Sequence, residues 1–195
     1  MFRGTRLATA ITRTLTFSEF DHVGVVIRLE GEEDVHVIEA TGGPGVSVNR
    51  WANLRRHVGQ GKFYERIVFR HVNFDRSLVA MHKFCQFAQE VMGHKYSLGA
   101  LQLLRQKTVV KKNGAQNFVE EDRTFFCSEL VAKSFKVLGI MVDDDISCSQ
   151  FYPHHFTALG DQGLNLTDGT WLEDEMQIIS DEHVHFEQQV EVEVQ

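Results

Sequence analysis

The clearest pattern in the chain is an apolar, β-branched run at residues 22–29 that breaks at Glu30-Gly31-Glu32-Glu33-Asp34 and returns as Val35-His36-Val37-Ile38-Glu39-Ala40. Two such runs across a short polar loop predict a hairpin. Thr41-Gly42-Gly43-Pro44-Gly45 makes a second break, Val46-Ser47-Val48 continues the sheet, and residues 63–72 predict a further strand around Ile67-Val68-Phe69. The period then changes. Across residues 77–92 the apolar positions Leu78, Met81, Phe84-Cys85, Ala88 and Val91-Met92 recur three and four apart, which predicts a helix closed by Gly93. Residues 127–138 repeat that period, with Leu130-Val131, Ser134-Phe135 and Leu138 on one face and Gly139 as the stop.

Weaker patterns fill the gaps. Leu7, Ile11 and Leu15, four apart, predict a short helix or turn over residues 5–16, and residues 98–105 predict another helix. Residues 107–123 have no clean period and pass from basic (Lys111, Lys112) to acidic (Glu120, Glu121, Asp122), the mark of a lid or a mobile loop. Residues 164–172 predict a hairpin around Asp168-Gly169. Val184, Phe186, Val190, Val192 and Val194 alternate as one more strand. Strands, a helix pair, a helix and strands again predict an α+β fold with an antiparallel sheet.

Composition narrows the function classes. A chain of 195 residues with 43% hydrophobic and 24% charged residues is one ordinary globular domain. The net charge of -7 excludes nucleic acid as a main partner, because neutralising phosphates needs a basic face. No run reaches the length of a membrane-spanning helix. Three cysteines, an odd number, argue for a reducing compartment such as the cytoplasm. The first eighteen residues carry Arg3, Arg6 and Arg13 and no acid, which leaves a mitochondrial presequence as the alternative to a helix of the domain.

The candidate chemistry sits on the patterned elements. Cys127 opens a predicted helix, where unpaired backbone N–H groups lower a thiol's pKa, and His22 opens a predicted strand. Glu39 on the returning strand is a carboxylate among apolar residues, which needs a partner to offset its desolvation and would orient the His22 ring. Together they read as a Cys-His-Glu hydrolase. His36 is the rival for the third place, but it lies three residues from Glu39 and so faces the other side of its strand. Cys85 falls on an apolar stripe and reads as core, and Cys148 as an incidental loop thiol. His154-His155 and His183-x-His185 lack the further ligands that a zinc site needs, and Gly42-Gly43-Pro44-Gly45 lacks the Lys-Ser/Thr of a phosphate loop. Neither metal nor cofactor is expected.

In combination these segments resemble a known family. His22-Val23-Gly24-Val25-Val26, followed by Val37-Ile38-Glu39-Ala40 and Gly45-Val46, resembles the first half of a permuted NlpC-type papain-like domain. Gly93-His94-Lys95-Tyr96 is similar to that group's Gly-x-x-Tyr segment, Phe126-Cys127-Ser128-Glu129-Leu130-Val131 to its nucleophile helix, and Tyr152-Pro153 to a later Pro-containing segment. The nearest branch is the YiiX/YebB-like proteins, with the lecithin:retinol acyltransferase-like enzymes more distant. The resemblance implies a circularly permuted papain-like fold, with an antiparallel sheet or small barrel packed on a helix bundle that carries the nucleophile. It implies a thiol hydrolase or acyltransferase that cleaves a small-molecule, lipid-like or peptide amide or ester through a thioester, using Cys127, His22 and Glu39. A catalytically silent binding module and a protease acting on a protein tag are the alternatives. The expected domain covers residues 1–160, with residues 161–195 a hairpin and acidic tail. Members usually carry a Gly-Asp-containing strand before a segment like Phe2-Arg3-Gly4, so the first strand is expected to be absent or reduced, with the tail available to fill its place.

Overall fold

The computed structural model describes residues 1–4, 18–58, 64–94 and 126–179. The expected helices at 5–16 and 98–105, the lid at 107–123, the tail strand at 184–194 and His183 and His185 lie outside these residues. The predicted hairpin forms from β2 (Val25–Arg28) and β3 (Val35–Thr41), antiparallel, with Val25 opposite Ile38 and Arg28 opposite Val35. β4 (Gly45–Arg50) pairs with the other edge of β3 and sets Ser47 opposite Glu39. Gly45 has φ of 75°, where a glycine avoids the Cβ clash that any other residue would meet. The α-helix α1 (Trp51–Val58) follows, with Trp51 and Leu54 packed against Phe2, Val37 and Ile67. The sequence pattern did not assign it, because Trp51, Leu54 and Val58, though three and four apart, span only two turns with no capping signal before them.

A second sheet stands beside the first. β1 (Phe2–Gly4) and β8 (Met176–Ile179) flank β5 (Tyr64–Phe69), both antiparallel to it, with Phe2 opposite Ile67. β6 (Val72–Asn73) pairs with β7 (Trp171–Leu172). Arg70, between β5 and β6, donates to the carbonyls of Phe156, Leu172 and Glu173 and pairs with Asp161, tying the C-terminal segments to β5. The hairpin expected around Asp168-Gly169 is corrected here. The turn exists, with Gly169 at φ 76°, but Leu166 bridges Met141 while Trp171-Leu172 crosses to β6. Leu164, Leu166 and Leu172 of the two flanks all pack against the main core. Among the described residues the two larger sheets meet through one bridge, Phe2 to His22, and the strands do not close into the expected small barrel.

Two helices cover the sheets. α2 (Leu78–Val91) starts at Ser77, whose Oγ accepts the Ala80 N–H at 3.3 Å, and ends before Gly93 at φ 77°. Its core face is Phe84, Phe87, Ala88 and Val91. Cys85, expected in the core, is exposed, because it sits one residue, about 100° of helix, beyond Phe84. α3 (Cys127–Leu138) spans the predicted residues. Glu129 accepts the Phe126 N–H at its start, and Gly139 caps it in the left-handed region. Leu130, Val131, Ala132 and Phe135 join Phe20, Val23, Ile38, Ala40 and Ile140 in one core.

Gly24 determines how closely β2 approaches β3. A Cβ there would lie 2.8 Å from Val37 Cγ1 and 3.0 Å from the Ile38 carbonyl oxygen. Gly24→Ala is therefore expected to push the strand start away from β3, costing about 1–3 kcal/mol as an overpacking change. Urea unfolding of the two proteins measures it. An unchanged midpoint would show that β2 yields without cost.

Candidate active site

His22 lies just before β2, pinned to β1. The Phe2 N–H donates to the His22 carbonyl at 2.8 Å, and the His22 N–H donates to the Phe2 carbonyl at 3.2 Å. His22 is 7% exposed, and its imidazole lies against two rings, Phe2 at 5.2 Å and Tyr64 stacked at 6.2 Å. The hairpin register carries Glu39 to the same place from β3. Its Oε2 is 2.6 Å from His22 Nε2, and the residue is 2% exposed. Asn49, on β4, donates to Glu39 Oε1 at 2.9 Å and to Ser47 Oγ at 3.2 Å, fixing the carboxylate from behind. Asn49 and Tyr64 escaped the sequence reading. The signal for Asn49 was its parity with Ser47 on β4, which becomes useful only once the register is known.

Cys127 is the first residue of α3, buried and hydrogen-bonded to His22. With Nε2 committed to Glu39, Nδ1 is the ring nitrogen left to meet the thiol. Burial alone would push the Cys127 thiol up, but the hydrogen bond and positive charge of His22, with the backbone N–H groups of Val23 and Ser128, bring it below its ordinary value. Burial alone would lower His22 as well. Its hydrogen bonds to Cys127 and Glu39, and their charges, raise its pKa to about 10. Both shifts favour the thiolate–imidazolium form of the pair over the neutral one, and the two groups titrate together.

The other candidates lie elsewhere. His36 points away from Glu39, with Nε2 3.4 Å from Glu32, and does not take the third place. Cys148 opens a short 3₁₀ turn, Cys148–Gln150, half-buried, and its thiol is pushed up by burial. It packs against the main core and is no mere loop thiol. His155 accepts the Tyr152 N–H at 3.0 Å through Nδ1, and among the described residues no cluster of three metal-binding side chains occurs.

A buried thiol at a helix start against an imidazole that leads into a strand, with the histidine earlier in the chain than the cysteine, is a papain-like arrangement in permuted order. The family model described as permuted papain-like amidase enzyme, YaeF/YiiX, C92 family, matches residues 2–153, and the chain belongs to that family. Its general activity is that of a cysteine hydrolase of the amidase or peptidase kind. No curated protein and no solved structure matches the chain.

The geometry sets an order of thiol reactivity. Limiting iodoacetamide at pH 6 is expected to label Cys127 first, because His22 and the backbone N–H groups lower its pKa and raise its thiolate fraction above that of the other thiols. Cys85 is exposed but lacks the imidazole, and burial holds Cys148 protonated. Peptide mapping reads the result. Predominant labelling of Cys85 or Cys148 would contradict the paired thiolate.

Proposed function

We propose that the chain cleaves an amide or ester bond by nucleophilic acyl transfer, with Cys127 as nucleophile, His22 as its proton carrier and Glu39 as the group that orients His22. The observation that carries this reading is the buried relay from Cys127 through His22 to Glu39. The thiolate attacks the carbonyl carbon, a C–S bond forms, and the carbonyl oxygen takes the negative charge. The N–H groups of Val23 and Ser128, already directed at the sulfur, are the nearest donors for that oxyanion. As the intermediate collapses, the imidazolium gives its proton to the leaving nitrogen or oxygen, and the thioester remains. Neutral His22 then takes a proton from water or another acceptor, which attacks the thioester and releases Cys127 as thiolate. Kinship with NlpC-type and lecithin:retinol acyltransferase-like enzymes, and transfer to an acceptor other than water, belong to this proposal.

The pH profile tests the pair. Below the lowered pKa of Cys127 the nucleophile is protonated. Above about 10 the imidazolium, the general acid, loses its proton. The profile of kcat/KM on an aryl amide is expected to be a bell whose alkaline limb falls near pH 10. A limb near 6.5, the ordinary value for histidine, would show that His22 is unpaired in the free enzyme. Product analysis with and without added amine or alcohol acceptors separates hydrolysis from transfer.

A further inference from the structure

The described residues leave an unusual gap beside the site. β2 is the last strand of its sheet, so the edge of residues 23–28 away from β3 has no strand partner among the described residues. β5 is paired with β1 only as far as Val68, which exchanges backbone hydrogen bonds with Met1. Past that point the edges of β2 and of residues 69–71 face each other across a cavity of about 520 Å³. The cavity continues the line of β1, since Phe2 bridges His22 on one side and Ile67 on the other. One wall is apolar, formed by Phe84, Val131, Phe135 and Leu138 of α2 and α3. Its rim carries Arg28, His71 and Arg76, and no described acidic side chain lines it. A gap bounded by two parallel strand edges fits an extended backbone, because only a strand would satisfy both rows of peptide groups.

One segment of the chain has the matching pattern. Val190, Val192 and Val194 alternate with Glu191 and Glu193, and residues 181–195 hold five acidic side chains and no lysine or arginine. Six residues, 189–194, equal the six of the open β2 edge, about 20 Å of strand. The valines would face the apolar wall and the glutamates the arginine rim. β8 ends at Ile179 on the far side of β5, and the nine residues 180–188 can reach about 30 Å, well beyond two strand spacings. We infer that residues 189–194 dock as a strand in the cavity between β2 and β5, completing the sheet that holds His22.

The inference is independent of the catalytic reading, so its test reads binding and amide protection. A chain ending at Ser180 keeps β8. A fluorescein-labelled peptide of residues 183–195 is expected to bind it saturably, and to bind the full chain at least tenfold more weakly because the cavity is already filled. Hydrogen exchange of the amides at residues 24–28 and 69–71 should be at least tenfold slower in the full chain than in the truncated one, and slow again once the peptide is added. If the truncated chain does not fold, the full chain carrying V190K, V192K and V194K should show the same fast exchange. Equal exchange in the full and altered chains, with no peptide binding, overturns the inference. Protection that depends on concentration and accompanies a doubled mass also overturns it, because the occupant would then be a second copy's tail. Binding of a fluorescent medium-chain fatty acid with equal affinity to the full and truncated chains overturns it too, since the cavity would be open to acyl groups.

Discussion

Replacing Cys127 with serine is expected to reduce kcat/KM about a thousandfold or more while the unfolding midpoint moves little. In the proposed mechanism the thiol sulfur forms the new bond, and the charge pair with His22 supplies its reactivity. A serine hydroxyl in the same place keeps a hydrogen bond to the ring but is not ionised near neutral pH, and His22 has no anion there to hold its proton. Residues that act as a unit show losses of this order or larger when one is removed. The side chains are nearly isosteric, and the buried position at the start of α3 is retained, so thermal unfolding controls for folding. Turnover of aryl-ester and acyl-thioester substrates by C127S within tenfold of the parent would remove Cys127 from the mechanism.

Changing Glu39 to glutamine is expected to cost both activity and stability. The carboxylate is buried, accepts from His22 at 2.6 Å and from Asn49 at 2.9 Å, and is one of the groups that raise the imidazole to about 10. Glutamine keeps the shape but loses the charge. Imidazolium is then less favoured, and the falling limb of the pH profile should move to lower pH. Its amide can also present N–H to Nε2 and favour the wrong tautomer, so kcat should fall about a thousandfold or more with KM little changed. Removing one partner of a buried pair costs about 3 kcal/mol or more, which denaturant unfolding detects. If E39Q keeps both the parent alkaline limb and the parent kcat, Glu39 plays no part in setting His22.

The sequence pattern showed some elements more clearly than others, for physical reasons. The hairpin, α2 and α3 were legible because each buries one face against a single large core, and burial on one face writes a period into the chain. The pairing of His22 with Glu39 was readable from the same hairpin, since two strands joined by a short loop have few possible registers. α1 was hidden because its small contact with Phe2 and Ile67 needs only Trp51 and Leu54. Cys85 was misplaced because two adjacent apolar residues, Phe84 and Cys85, both fitted the stripe, and only packing decides which one turns inward. The partners of β7 and β8 lie about a hundred residues upstream, and no local pattern carries a pairing that distant. Asn49 was invisible for a related reason: a positioning residue has no signature of its own.

The bridge from Phe2 to His22 also bears on the order in which the molecule forms. Residues 2, 22, 39, 67 and 127 meet at one point, so closing the site requires contacts between segments far apart in the chain. Such contacts form after local ones, because loop closure must be met before they contribute. The hairpin and the α3 helix can each form early with an ordinary cysteine and an ordinary histidine. The groups that lower the Cys127 pKa come together only when the two sheets join. Under the proposed mechanism, a chain emerging during synthesis would carry no activated nucleophile until its fold is nearly complete.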